Sequence, residues 1–202
     1  MNTLQPRTMA DIRIGITGGI GSGKSYVARR LEEKFSVPVY DCDSRAKALM
    51  ATDATIREGL VRMFGDEVYE NGALNRPMLA ARIFGHPQHL AAVNALVHPR
   101  VRQDFESWAD GRAERIVAVE SAILFSSGMD RLVDFVIGVT APEPIRLERV
   151  LSRDGCTPQQ ALARMQSQQH EAGDVRFSLL NDGICPVDEQ LAEILETVNK
   201  IY

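Results

Sequence analysis

Apolar positions along the chain fall into short runs separated by longer stretches of helical spacing. Ile12-Arg13-Ile14-Gly15-Ile16-Thr17 alternates apolar residues with small or polar ones and predicts a first strand. Val27, Ala28, Leu31 and Phe35 then recur at offsets of 1, 4 and 8 from Val27, which predicts a helix. Val37-Pro38-Val39-Tyr40 predicts a second strand ending at Asp41. Ile116-Val117-Ala118-Val119 predicts a third ending at Glu120, and Val133 to Val139, with Asp134 near its start, a fourth. Ser178-Leu179-Leu180 is a weaker last strand before the turn signal Asn181-Asp182-Gly183. Val187, Leu191, Ile194, Leu195 and Val198 form the apolar face of a C-terminal helix. Short apolar runs alternating with helices predict an α/β fold: a five-stranded parallel sheet with helices on both faces. Such sheets bind ligands outside the carboxyl ends of their strands, where Asp41 and Glu120 stand.

Two stretches exceed a simple crossover. Residues 44–111 read as helical throughout, with pieces at Ser44 to Met50, Ile56 to Phe64, Arg76 to Phe84 and Pro87 to Val97. A break at His98-Pro99 and a further helix through Trp108 follow. This is too much chain for one helix and predicts a helical substrate-binding insertion. A second elaboration, about 145–171, has the profile of a lid. Thr157 there is the expected N-cap, with Pro158 at the first helical position, and Arg146, Arg149, Arg153 and Arg164 are concentrated nearby. The core is then about 10–43, 112–144 and 172–202. Met9 offers an alternative start to Met1.

Between the first strand and its helix lies Gly18-Gly19-Ile20-Gly21-Ser22-Gly23-Lys24-Ser25, the G-x-x-x-x-G-K-[ST] pattern of a phosphate-binding P-loop. Glycines permit backbone conformations in which successive N–H groups wrap an anion, and the helix N-terminus adds its positive end. Lys24 is placed to reach β- and γ-phosphates, and Ser25 to hold Mg²⁺. Asp41-Cys42-Asp43 supplies carboxylates near the strand end. If strand geometry continued past Asp41, both would face one site, and either could take a proton from an attacking hydroxyl. The alternative is that one of them, Asp43 for instance, caps the following helix. Among the arginines, Arg153 and Arg164 have the stronger case for reaching nucleotide phosphates, and Arg146 and Arg149 the weaker. On spacing alone, His98 reads as structural more readily than as a catalyst.

Bulk properties narrow the partners. The 202 residues suffice for one domain with an insertion. A net charge of −4 argues against a general nucleic-acid surface. No apolar run approaches the roughly 20 residues of a membrane span, and residues 1–11 lack a signal-peptide core. Cys42, Cys156 and Cys185 are few and scattered, which suits a reducing cytoplasm.

In order, these segments resemble the dephospho-coenzyme A kinase family. Gly15 to Ser25 is similar to its nucleotide loop, Val39-Tyr40-Asp41-Cys42-Asp43 to its Asp-Ala-Asp segment, and Leu96-Val97-His98-Pro99 to its His-Pro segment. Ala122-Ile123-Leu124-Phe125 resembles its Pro-Leu-Leu-Phe stretch. Arg149-Val150-Leu151-Ser152-Arg153-Asp154-Gly155 and Arg164 to Gln168 resemble its lid. The resemblance implies a P-loop NTPase fold with a nucleoside-monophosphate-kinase-like core and ATP-dependent phosphorylation of the ribose 3′-hydroxyl of dephospho-CoA. ATP and Mg²⁺ are the implied cofactors and dephospho-CoA the implied substrate, in a cytoplasmic monomer or small homo-oligomer. Asp43 becomes the implied base, with Lys24 and Arg153 beside it in catalysis. Gly19, Gly21, Ser22, Gly23, Lys24, Ser25, Tyr26 and Arg153 become implied nucleotide contacts. Asp41, Asp43 and His98 would meet the substrate, and Ser25 and Asp41 the metal. The chain departs from the family pattern at Tyr26, Ser126 and Arg176, while keeping Asn181. The alternatives are another small-molecule kinase, against which the long helical insertion and the His-Pro segment count, and a nucleotide-dependent switch or catalytically weak CoA-binding protein, whose only sequence support is Ser126 and Arg176.

Overall fold

The computed structural model describes residues 10–167 and 173–201. Met9, Gln168 and the end of the expected lid lie outside them. The chain divides into two compact units. One comprises the described residues through Tyr40 and from Ala109 onward; the other is Asp41–Trp108.

The first unit is built on a five-stranded sheet: β1 (Ile12–Thr17), β2 (Val39–Asp41), β5 (Ile116–Glu120), β6 (Phe135–Thr140) and β7 (Phe177–Leu180), in the order β2-β5-β1-β6-β7. The pairings of β1 with β5, β1 with β6 and β6 with β7 are parallel. Alternation along the strands works as expected. Ile12, Ile14 and Ile16 of β1 and Phe135, Ile137 and Val139 of β6 face one way. They bury against Val27 and Leu31 of α1 (Lys24–Phe35) and against Leu191, Ile194 and Val198 of α8 (Val187–Ile201). Each fully buried isoleucine or leucine contributes about 1.5–3 kcal/mol. On the opposite face Gly15 lies under Leu124, Val133 and Val136, so a β-carbon there would collide with Leu124. The fourth strand starts two residues later than its apolar run. Asp134 is instead an anchor: its carboxylate accepts the Arg13 backbone N–H at 2.7 Å. After β6 come α6 (Glu143–Asp154) and α7 (Pro158–Ser167). Thr157 caps α7 as expected, through a reciprocal pair in which its hydroxyl accepts the Gln160 N–H and Gln160 Oε1 accepts the Thr157 N–H.

The second unit contains α2 (Cys42–Thr52), α3 (Ala54–Phe64), α4 (Arg76–Ile83) and most of α5 (Pro87–Asp110). It departs from the sequence reading twice. Residues 69–74, expected to be helical, form a hairpin of β3 (Tyr69–Glu70) and β4 (Ala73–Leu74). Asn71 and Gly72 both take positive φ, 51° and 83°, as a tight primed turn demands. The expected break at His98-Pro99 is absent, because α5 runs through Pro99 as one helix of 24 residues. An interior proline costs about 3 kcal/mol. A stripe at four-residue spacing on both sides of it, Val93, Val97, Val101 and Phe105, is buried and offsets that cost. Asp53 caps α3 through the Ile56 N–H, and its other oxygen accepts two hydrogen bonds from Arg100, at 2.6 and 2.9 Å. Burial pushes the Asp53 carboxyl up, but Arg100 and the Ile56 and Thr55 N–H groups outweigh it and hold the carboxyl below the usual range.

Candidate nucleotide site

The P-loop connects β1 to α1 as the motif requires. Gly23 is the N-cap of α1 with φ 91°, and Lys24 and Ser25 open the helix. The first turn of a helix leaves its N–H groups without intrahelical acceptors and points them, with the dipole, at whatever lies before it. Gly21 has φ 79°, and a β-carbon there would stand 2.5 Å from the Arg146 carbonyl oxygen. Gly23 has no more room, since a β-carbon would overlap Nδ2 of Asn181. The loop is therefore packed from behind by α6 and by the end of β7. Ser22 is buried, and its hydroxyl lies against Gly18 without a hydrogen-bond partner among the described residues. Tyr26, in the first turn of α1, is 45% exposed.

The loop is held by Asn181 and by the two arginines with the weaker sequence case for reaching nucleotide phosphates. Arg146 Nε donates to the Ile20 carbonyl at 2.8 Å. Arg149 donates to the carbonyls of Gly21 and Ser22, both at 3.3 Å, and to Asn181 Oδ1 at 3.4 Å. Asn181 Nδ2 donates to the Ser22 carbonyl at 2.9 Å. Arg153 and Arg164 instead converge on Asp154, at 2.7 and 3.0 Å. The hydrogen bond to Asp154 raises the Arg153 pKa and, in return, that from Arg153 holds the Asp154 carboxyl low. A second residue gains weight at the end of β5. Ser25 Oγ lies 3.4 Å from a carboxylate oxygen of Glu120, with the hydroxyl donating. Two hard oxygen donors at the mouth of a phosphate loop suit Mg²⁺. Glu120 is legible in the sequence only as a carboxylate at a strand end. Arg146 and Arg149 carried no signal separating them from the arginines further along.

The remaining expected residues belong to the second unit. Strand geometry does not persist past Asp41, because α2 begins at Cys42. Asp41, not Asp43, is the cap: it accepts the N–H groups of Asp43 and Ser44 at 3.0 and 3.1 Å and the Ser44 hydroxyl at 2.6 Å. Asp43 stands in the first turn of α2 with its side chain exposed. His98 is half-buried within α5. Burial, with Arg102 nearby, lowers its pKa, so the imidazole is neutral at pH 7.

Comparison with known proteins settles the family. A family model described as dephospho-CoA kinase matches residues 12–183. The chain belongs to the dephospho-CoA kinase family. A dephospho-CoA kinase of Porphyromonas gingivalis is 45% identical over 191 residues, covering 93% of this chain and 94% of the relative. Among solved structures, TT1252 from Thermus thermophilus aligns with a TM-score of 0.79 at 31% identity, covering 93% of this chain and 97% of that one. The dephospho-CoA kinase from Campylobacter jejuni, at 19% identity, shares the fold with a TM-score of 0.66 over 93% of this chain and 97% of its own. The chain is thus a kinase with a P-loop α/β fold, in the family of the enzyme that completes coenzyme A biosynthesis, and kinase chemistry makes ATP its phosphoryl donor. Among the described residues no helix is long and apolar enough to cross a membrane.

Proposed function

We propose that this chain transfers the γ-phosphoryl group of ATP to the ribose 3′-hydroxyl of dephospho-CoA, giving CoA and ADP. The observation that carries the reading is a complete P-loop, with Ser25 facing Glu120, in a chain matched to the dephospho-CoA kinase family over residues 12–183. Phosphoryl transfer asks the protein for positioning and charge neutralisation more than for covalent chemistry. Lys24 and the N–H groups at the start of α1 bind the phosphates, and Tyr26 flanks them. Ser25 and Glu120 would hold Mg²⁺, which neutralises charge on the phosphate oxygens when bound. Asp43 accepts the proton of the attacking hydroxyl. Asp41 sets the first turn of α2, and with it the backbone that carries Asp43. His98, as a neutral imidazole, hydrogen-bonds the acceptor from the Asp41–Trp108 unit, which we assign to the CoA moiety. Arg153 can serve the nucleotide only by exchanging Asp154 for it. Of the expected lid, the described part in this reading is the end of α6 beyond Arg149 together with α7. The cytoplasm is the proposed compartment, and Cys42, Cys156 and Cys185 are free thiols.

The test of the assignment is an Asp43→Asn enzyme assayed against a panel of acceptors. A lost general base lowers kcat by about 10²–10⁴-fold, while the Kd for MgATP stays within about twofold of wild type. Turnover close to wild type would remove Asp43 from the reaction. Preference of the wild-type enzyme for a nucleoside monophosphate over dephospho-CoA would remove the acceptor.

A further inference from the structure

The P-loop must turn its N–H groups toward the phosphates, so its carbonyls must turn away and find donors elsewhere. Three consecutive carbonyls do so: Ile20 on Arg146, Gly21 on Arg149, and Ser22 on both Arg149 and Asn181. The shortest contact to the Ser22 carbonyl is the neutral one, from Asn181 Nδ2 at 2.9 Å. Asn181 is itself fixed. It is buried at 5% exposure, and its backbone N–H donates to Thr140 at the end of β6, 2.8 Å away. Its side-chain oxygen accepts from Arg149, which also determines the sense of the amide. A flipped amide would set Oδ1 against the Ser22 carbonyl and the NH₂ group against a guanidinium, both repulsive. A trans peptide is planar, so a C=O held on one side directs the following N–H to the other. Holding the Ser22 carbonyl therefore aims the Gly23 N–H away from Asn181, on the side where the start of α1 receives phosphate.

We propose that Asn181 is a positioning residue for the nucleotide: by holding the Ser22–Gly23 peptide it aims a phosphate-binding N–H group without touching the nucleotide itself. This rests on the proposed binding of MgATP by the loop. Asn181 also excludes any side chain at Gly23, so the two residues form one packed unit. Arg149 depends on the same amide for its third contact, so loss of Asn181 loosens the loop at Gly21 as well.

The experiment compares wild type, Asn181→Ala and Asn181→Asp. Calorimetry gives the Kd for MgATP and, separately, for dephospho-CoA, and the ligand-free Tm is read for each protein. Asn181→Asp keeps the volume but places an acceptor against the Ser22 carbonyl. We expect the MgATP Kd to weaken about 10-fold in Asn181→Ala, the loss of one buried hydrogen bond, and at least as much in Asn181→Asp. The dephospho-CoA Kd stays within about twofold of wild type, and both variants are folded at the assay temperature. Wild-type MgATP affinity in both variants would overturn the inference. So would parallel weakening of both ligands, or unfolding of both variants at the assay temperature, since either makes Asn181 a residue of the fold alone. Failure of the wild-type chain to bind MgATP would overturn the proposed function, and this inference with it.

Discussion

Arg149 and Arg153 stand about one turn apart on α6, yet their guanidinium groups meet different acceptors. Arg149, with Arg146 a turn earlier, lies over the P-loop and hydrogen-bonds its carbonyls and Asn181. Arg153, at the other end of the helix, reaches Asp154, which Arg164 of α7 also reaches. The first pair meets backbone that must keep its carbonyls turned from the anion, so its hydrogen bonds shape a binding site. The second meets a carboxylate in solvent-exposed surroundings, where an ion pair contributes little and is readily exchanged. Residue type and helix are shared; the difference lies in which acceptors each turn of α6 faces. An arginine near a phosphate loop thus acts either by holding the loop or by meeting the ligand, and the two ends of α6 separate these roles.

The comparison can be broken at several points. The largest effect is expected from Gly21→Ala, which places a β-carbon 2.5 Å from the Arg146 carbonyl oxygen at a positive φ. Strain and collision of about 3 kcal/mol lower kcat/KM for ATP by more than about 100-fold; steady-state kinetics with ATP as the varied substrate reads this. Arg149→Ala removes charge-assisted bonds to two loop carbonyls, so the same parameter falls by about 10–100-fold. Arg100→Ala serves as a control in the other unit. It strips the partner from Asp53, whose side chain is 9% exposed, and lowers stability by about 1–3 kcal/mol in denaturant titrations. The Asp53 pKa is depressed in the fold. Its stabilising contribution is therefore present above the unfolded pKa and lost as pH falls through the folded one. The difference between wild type and Arg100→Ala should shrink on acidification across that range. The smallest effect is expected from Arg153→Ala, with kcat/KM for ATP within about threefold of wild type. A loss equal to that of Arg149→Ala would mean that Asp154 releases Arg153 to the nucleotide during turnover, and would erase the distinction between the two ends of the helix.

Where the chain's chemistry is local, it is legible in the sequence. The P-loop, the strands leading to it and the Thr157 cap all follow from residues within a few positions of one another. So did the hairpin at Asn71-Gly72, whose dipeptide marks a primed turn, but the helical spacing on either side obscured it. The continuity of α5 was harder to see. Pro99 argues for a break, and only the buried stripe from Val93 to Phe105 shows why the helix tolerates it. The cap of α2 turned on a single residue, since the chain becomes helical at Cys42 and makes Asp41 the acceptor in place of Asp43. The roles of Arg146, Arg149 and Asn181 were beyond reach. They depend on contacts across more than 120 residues for the arginines and 159 for Asn181 with Ser22, and no local pattern encodes these.

The most direct test of the whole account is the product itself. Purified protein with Mg²⁺, ATP and dephospho-CoA should yield ADP and CoA in equal amounts, with phosphorus NMR placing the new monoester on the ribose 3′-oxygen. Hydrolysis of ATP without a phosphorylated product, or a phosphate at any other position of the acceptor, would contradict it.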